Sequence, residues 1–258
     1  MNTIKLYYHY NAGVSIEIDD MLLIFNYWSG GEHPIAEQAQ IRLEKLRQYQ
    51  KVYVFVCNSR EDMYDPIIYS WQKHSNIHYI VSSDVELQPN TQMMKANQTI
   101  ALDDRLVVSA YPSTDKGLAF LLTIDDEIRI FNAGTLNLWH WMETSSTEEI
   151  HAAQEEYEAI LNALPKENVL LAFFPVDVRQ GLHFEVGAVQ YISQIKPRFF
   201  VPVRFLDRAD IITTFSRDYS NINTNVLPFI KPGSYANLRR EENGFVASGI
   251  SLLPKEDH

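Results

Sequence analysis

Short apolar runs separated by polar turns set out most of this chain's elements before any chemistry is considered. Runs at 4–9, 14–18 and 21–27 predict three strands, with Asp19-Asp20 as a tight turn between the last two. Across 36–50, Ile41, Leu43, Leu46 and Tyr49 fall on one face and predict an amphipathic helix with a charged outer side. The run 52–57 predicts a buried strand, and 66–73 a helix with proline in its first turn. Further strands are predicted at 77–81, 106–110, 118–124 and 128–131. A helix over 147–164 opens with a capping box, Ser146 and Glu149, and carries one apolar stripe, Ile150, Tyr157, Ile160, Leu161 and Leu164. Two more buried strands, 169–174 and 199–203, are joined by a predicted helix over about 184–195. The stretch 220–243, rich in Asn and Pro, is expected to be an irregular connection. Hairpins followed by alternating strands and helices fit an α/β protein with two sheets between helices. No repeat or linker-like shift in composition stands out, so a single domain over 1–258 is expected.

Composition narrows the function. With 258 residues, 46% of them hydrophobic, the chain can bury a sizeable core without disulfides or metals as staples. Its net charge of −11, from 33 acidic and 22 basic residues, repels phosphate backbones and argues against nucleic acid as a partner. The one short basic pair, Arg239-Arg240, is followed at once by Glu241-Glu242. A single cysteine rules out an internal disulfide and points to a reducing compartment. The first residues lack the apolar core of a signal peptide, and no apolar run reaches the ~20 residues that cross a bilayer. A soluble, cytoplasmic protein is expected, with no membrane contact.

Four segments carry candidate chemistry. Cys57-Asn58-Ser59-Arg60-Glu61-Asp62-Met63-Tyr64 follows the buried run 52–57. It resembles the Ser-His-x-His-x-Asp-His loop of the metallo-β-lactamase-fold hydrolases, aligned without a gap; Asp62 is kept, and Asn58, Arg60 and Met63 stand at the His positions. Ala133-Gly134-Thr135-Leu136-Asn137-Leu138-Trp139-His140-Trp141 resembles the Ala-Gly-Asp-Leu-Asn-x-Trp-His-Trp segment of one branch, with Thr135 at the metal-bridging Asp. Pro175-Val176-Asp177-Val178-Arg179 resembles a Pro-x-Asp-Pro-Arg motif. Pro202-Val203-Arg204-Phe205 resembles a Pro-Met-His-Phe strand end, with Arg204 in place of the last His ligand. Order and spacing agree from Tyr10 to Gly233. The resemblance implies a four-layer αββα sandwich of metallo-β-lactamase type, in a divergent member with degenerate metal-ligand motifs.

The substitutions imply what the chemistry has become. Metal ions of this kind take lone pairs from imidazole, thiolate or carboxylate. A guanidinium is always protonated and only donates, so Arg60 and Arg204 cannot ligate and would repel a cation. No metal or other cofactor is therefore expected. In the inherited geometry both arginines turn into the vacated cavity beside Asp62. Either Asp62 closes an ion-pair plug there, or the arginines receive a ligand's carboxylate or phosphate. The leading expectation is a non-catalytic pseudoenzyme that binds a small anionic molecule or a protein partner. Its expected binders are Arg60, Arg204, Asn58 and Trp139, with His140, Asp177 and Arg179 around them. The alternative is a divergent hydrolase of esters, lactones or phosphoesters, with a remodelled one-metal or metal-free site using Asp62, Asp177 and His140. The Asp177–Arg179 pair also reads as a structural ion pair holding its loop.

Overall fold

Three strands joined by tight turns begin the chain in the computed structural model, which describes residues 3–31, 34–73, 76–141, 143–166 and 168–253. In chain order the elements are β1 (Thr3–Tyr10), β2 (Gly13–Ile18), β3 (Met21–Phe25), α1 (Leu43–Leu46), β4 (Lys51–Val56), β5 (Ile77–Ser82), β6 (Thr91–Met94), β7 (Thr99–Ala101), β8 (Leu106–Pro112), β9 (Leu118–Ile124) and β10 (Ile128–Asn132). Then come α2 (Thr147–Ala163), β11 (Val169–Pro175), α3 (Val186–Ile195), β12 (Phe199–Val203), α4 (Ala209–Tyr219), β13 (Asn225–Val226), β14 (Ser234–Glu241), β15 (Gly244–Ala247) and β16 (Ser251–Leu252). Contacts divide them into two units. The first runs to Val81 and adds Val85–Met93 and the chain from Phe229 on; the second holds Ser82–Asp84 and Met94–Pro228.

The first unit is built on a mixed sheet in the order β15-β14-β1-β2-β3-β4-β5-β6, with β16 also on β14. Pairing is antiparallel from β15 to β3 and parallel from β3 through β4 to β5. β3 and β4 are almost wholly buried, which is why they read as continuous apolar runs. One face packs Leu22, Ile24, Val52, Val54 and Val56 against Ile35, Ala39, Leu46, Ile68 and Trp71 from the covering segments.

The second unit has a sheet in the order β13-β12-β11-β10-β9-β8-β7, antiparallel from β7 to β10 and parallel from β10 to β13. Tyr191 of α3 lies against Phe131, Phe174 and Phe200 of three neighbouring strands, and Phe215 of α4 continues the row from Phe200. α2 starts with the predicted capping box: Ser146 Oγ accepts from Glu149 N, and the Glu149 side chain accepts from Ser146 N.

Several expectations change. The helix over 36–50 breaks into a 3-10 turn, Glu37–Ala39, and the single turn α1. A continuous helix would give the Ala39 carbonyl to residue 43 and the Ile41 N–H to residue 37. Instead His9 takes the first at 2.5 Å, and Tyr27 Oη accepts the second at 3.4 Å. Pro66–Lys73 is a 3-10 helix whose Ile68 carbonyl is held by Tyr79 Oη at 2.6 Å. The stretch 220–243 contains strand β14, paired with β1 from Thr3↔Arg239 to Tyr7↔Tyr235. α4 was not anticipated. A repeat is present after all. Ile18-Asp19-Asp20-x-x-x-Ile24-Phe25-Asn26 recurs as Ile124-Asp125-Asp126-x-x-x-Ile130-Phe131-Asn132. Both copies turn through a left-handed aspartate, Asp19 at φ 50 and Asp125 at φ 51, into a strand that pairs antiparallel behind and parallel ahead.

Candidate functional site: two strand-end loops

In the first unit the loop after β4 is closed by neutral groups. The buried Cys57 gives its N–H to Asn26 Oδ1 at 2.9 Å, and its Sγ lies 3.4 Å from Asn26 Nδ2. Asn58 is fully buried and its Oδ1 accepts the Arg60 N–H at 3.1 Å. The Met63 N–H then returns to the Arg60 carbonyl at 3.0 Å, so the turn places Met63 inward, fully buried. Arg60, expected to point inward, is exposed for the same reason. Asn11 Nδ2 holds the Asp62 carbonyl at 2.6 Å, leaving the Asp62 side chain half-buried.

In the second unit the loop after β10 is anchored at every turn. Thr135 is fully buried; its hydroxyl donates to the Lys116 carbonyl at 2.8 Å and lies 3.2 Å from Ser113 Oγ. Trp139 Nε1 donates to the Thr135 carbonyl at 2.7 Å, and its ring stacks on Trp141 at 6.1 Å. Asn137 accepts from Leu138 N and donates to Gln180, and Gln180 donates to the Leu138 carbonyl. A Cβ on Gly187 would overlap Asn137 Oδ1 and sit 2.7 Å from Leu138 N, so only glycine lets α3 come this close.

Beside Gln180 lies the charged part. Asp177 is buried and caps the short helix Val178–Gln180 through the Arg179 N–H. Its carboxylate receives Arg179 through Nε at 2.8 Å and Nη2 at 2.5 Å, a two-point pair. On the other side Arg204 Nε lies 3.6 Å from Asp177 Oδ2. The side chain of Arg204 is 4% exposed against 48% for Arg179, so the inner guanidinium is the one removed from water. Arg204 has φ 63, a left-handed conformation that costs a non-glycine residue about 1–3 kcal/mol. Asp177 is thus an anion that Arg204 faces within the second unit, a pairing the sequence did not suggest. Nearby, His140 is 5% exposed and its Nδ1 makes no hydrogen bond. Burial first, then the neighbouring His183, holds its pKa below the usual 6.5, with Glu185 opposing, so the ring is neutral.

The positions that the resemblance gives to metal ligands do not suit a metal. Thr135 and Asn58 spend their oxygens on main-chain groups, Met63 is core, and Arg204 is a cation. Among the described residues no group of three or more His, Cys, Asp or Glu side chains could hold an ion. Sequence reasoning missed the Asp177–Arg204 pairing, because it depends on two parallel strands ending side by side at Pro175↔Val203.

No family model matches the chain, and no curated protein matches it. Among solved structures it is similar to Igni18, a metallo hydrolase from the archaeon Ignicoccus hospitalis KIN4/I, at 16% identity and TM-score 0.65 over 93% of this chain and 100% of that one. It is similar to a protein assigned as a metal-dependent hydrolase from Parabacteroides distasonis ATCC 8503, at 13% identity and TM-score 0.58 over 86% and 91%. CmlA, a diiron β-hydroxylase from Streptomyces venezuelae, aligns at 10% identity and TM-score 0.58 over 92% of this chain and 54% of that one. At these identities the likeness shows the fold. It is the α/β fold of metallo-β-lactamase type that the strand-end motifs implied. Among the described residues no helix is long and apolar enough to cross a membrane.

Proposed function

We propose that this chain is a metallo-β-lactamase-fold protein that has given up metal catalysis and binds a small anion at the strand-end loops of its second unit. One observation carries the reading: two guanidiniums, Arg179 and Arg204, converge on the single buried carboxylate of Asp177. Two unit positive charges ~4 Å apart repel by ~4 kcal/mol at an effective dielectric of ~20. A ligand carboxylate or phosphate relieves that repulsion, and a guanidinium receives either in its own plane. The stacked Trp139 and Trp141 and the neutral His140 belong to the loop hydrogen-bonded to Gln180, next to Arg179, and supply an aromatic wall. Arg60 is exposed and Asn58 is committed to its own turn, so the reading draws on the second unit alone.

Calorimetric titration with inorganic phosphate and with acetate tests it. Arg204→Met, which keeps the side-chain volume, is expected to weaken binding by roughly tenfold or more, whereas Arg60→Met leaves it unchanged. Elemental analysis of protein purified without chelator should find zinc, manganese and iron well below one per chain. One tightly held metal per chain sinks the proposal.

A second reading, a divergent hydrolase of esters, lactones or phosphoesters, is favoured by the buried His140, whose Nδ1 has no hydrogen-bond partner. Ester or phosphodiester turnover that is lost on His140→Ala and on chelation selects this reading over the first.

A further inference from the structure

A second polar centre lies in the first unit, between the sheet and the covering segment. β1 and β2 carry Tyr7, His9, Ser15 and Glu17, and Tyr7 pairs with Ser15 across the sheet. Tyr7, His9 and Ser15 border a cavity of about 210 Å³ that Lys45 and Arg42 line from the covering side.

Hydrogen-bond inventory fixes what the floor of this cavity offers. His9 Nδ1 lies 2.5 Å from the Ala39 carbonyl, which can only accept, so Nδ1 carries the proton. The ring is buried and neutral, its pKa pushed down to about 4 by desolvation. Nε2 is therefore an acceptor, and Ser15 Oγ, 2.8 Å away, gives its only proton to it. The serine oxygen is left with lone pairs and no hydrogen to share. A base this weak activates a hydroxyl poorly near neutral pH, so the pair serves recognition and not nucleophilic attack.

The charge beside the floor is equally defined. Glu17 is 9% exposed and takes Lys45 at 2.6 Å and Lys5 at 3.5 Å, two ammonium groups on one carboxylate. Lys45 also sits 3.7 Å over the Tyr7 ring, which holds it in place. Leu22, Ile41 and Leu253 supply the apolar wall. The complement is a molecule with a hydrogen-bond donor at one end, an anion at the other and a short carbon chain between them. An ammonium donor would meet the field of Lys45, which leaves a hydroxyl.

We propose that this cavity is a binding site for a small hydroxycarboxylate, its hydroxyl donating to Ser15 Oγ, its carboxylate on Lys45 and its carbons against Leu22, Ile41 and Leu253. Ordinary ligand pockets start near ~300 Å³, so this one takes only a few carbons.

Titration of the full chain with 3-hydroxybutyrate, butyrate and 3-aminobutyrate, followed by calorimetry and by amide NMR shifts, tests the site. 3-Hydroxybutyrate is expected to shift the amides of Ser15 and Lys45 and to bind roughly tenfold more tightly than butyrate, the effect of one hydrogen bond; 3-aminobutyrate is expected to bind more weakly still. Ser15→Ala should abolish the difference between the first two acids, and Lys45→Met should weaken both. Because the site proposed in the second unit would also take a carboxylate, the same titrations on Arg204→Met isolate this cavity: the amide shifts of Ser15 and Lys45 and the preference for the hydroxy acid are expected to persist there. Equal binding of the hydroxy acid and butyrate to the unaltered chain, no binding of either at millimolar concentration, or shifts confined to residues outside the cavity would each overturn the proposal. The comparison on the unaltered chain decides the matter even if Ser15→Ala fails to fold.

Discussion

The loop after β4 and the loop after β11 leave equivalent places in two sheets of like design, each one strand beyond a copy of the Ile-Phe-Asn strand end. They place their charged side chains in opposite ways. The first is filled by Asn58 and Met63, a buried amide serving its own turn and a buried thioether, with the charge of Arg60 turned out to solvent. The second keeps its charge inside, as Asp177 between Arg179 and Arg204. A loop closed by neutral groups packs as ordinary core, whereas one that holds buried charges keeps a field that a ligand anion would meet.

The comparison breaks first at Asp177. Asp177→Ala leaves the buried Arg204 without that carboxylate and is expected to destabilise the protein by about 3–5 kcal/mol, measured by urea unfolding. Asp62→Ala in the neutral loop should stay within about 1 kcal/mol. Similar losses at both positions would mean that the two loops do not differ in kind.

Acid stability separates the units next. The pKa of His9 falls from 6.5 to about 4 on folding, so between these values the unfolded chain binds more protons. The contribution is complete above pH ~6.5 and is lost as pH drops towards 4, about 3 kcal/mol in all. His140 is shifted in the same direction. His9→Gln should therefore flatten the acid limb of the stability profile more than His140→Gln does.

The finest test is steric. Gly187→Ala drives a methyl into Asn137 and the Leu138 main chain, with an expected loss of about 1–3 kcal/mol. Gly249→Ala in the first unit, where a Cβ would meet nothing within 4 Å, should change thermal stability little.

Strands were legible where burial on both faces makes apolar runs, as in β4, β9, β11 and β12. The α2 start was legible because a capping box is local. The segment 36–50 misled, because its apolar spacing is helical but tertiary hydrogen bonds from His9 and Tyr27 claim the main-chain groups a helix needs. β14 was hidden for a related reason: Ser234, Ala236 and Leu238 make a weak pattern that only the distant partner β1 turns into a strand. The Ile-Asp-Asp repeat lay in plain view, but its meaning rests on strand order.

Sequence alone determined the fold class, because periodicity and burial of apolar side chains are written residue by residue. It also determined which side chains stand where the resemblance would put imidazole, since side-chain identity settles what can share a lone pair. Tertiary structure decided where each arginine goes: a one-turn hydrogen bond to Asn58 sends Arg60 outward, while the end of β12 carries Arg204 to Asp177. It also decided that His9 and Ser15 meet above a cavity, because the pairing of β1 with β2 and the carbonyl of Ala39 come from separate stretches of chain. Charge placement depends on non-local geometry, and no local pattern encodes it.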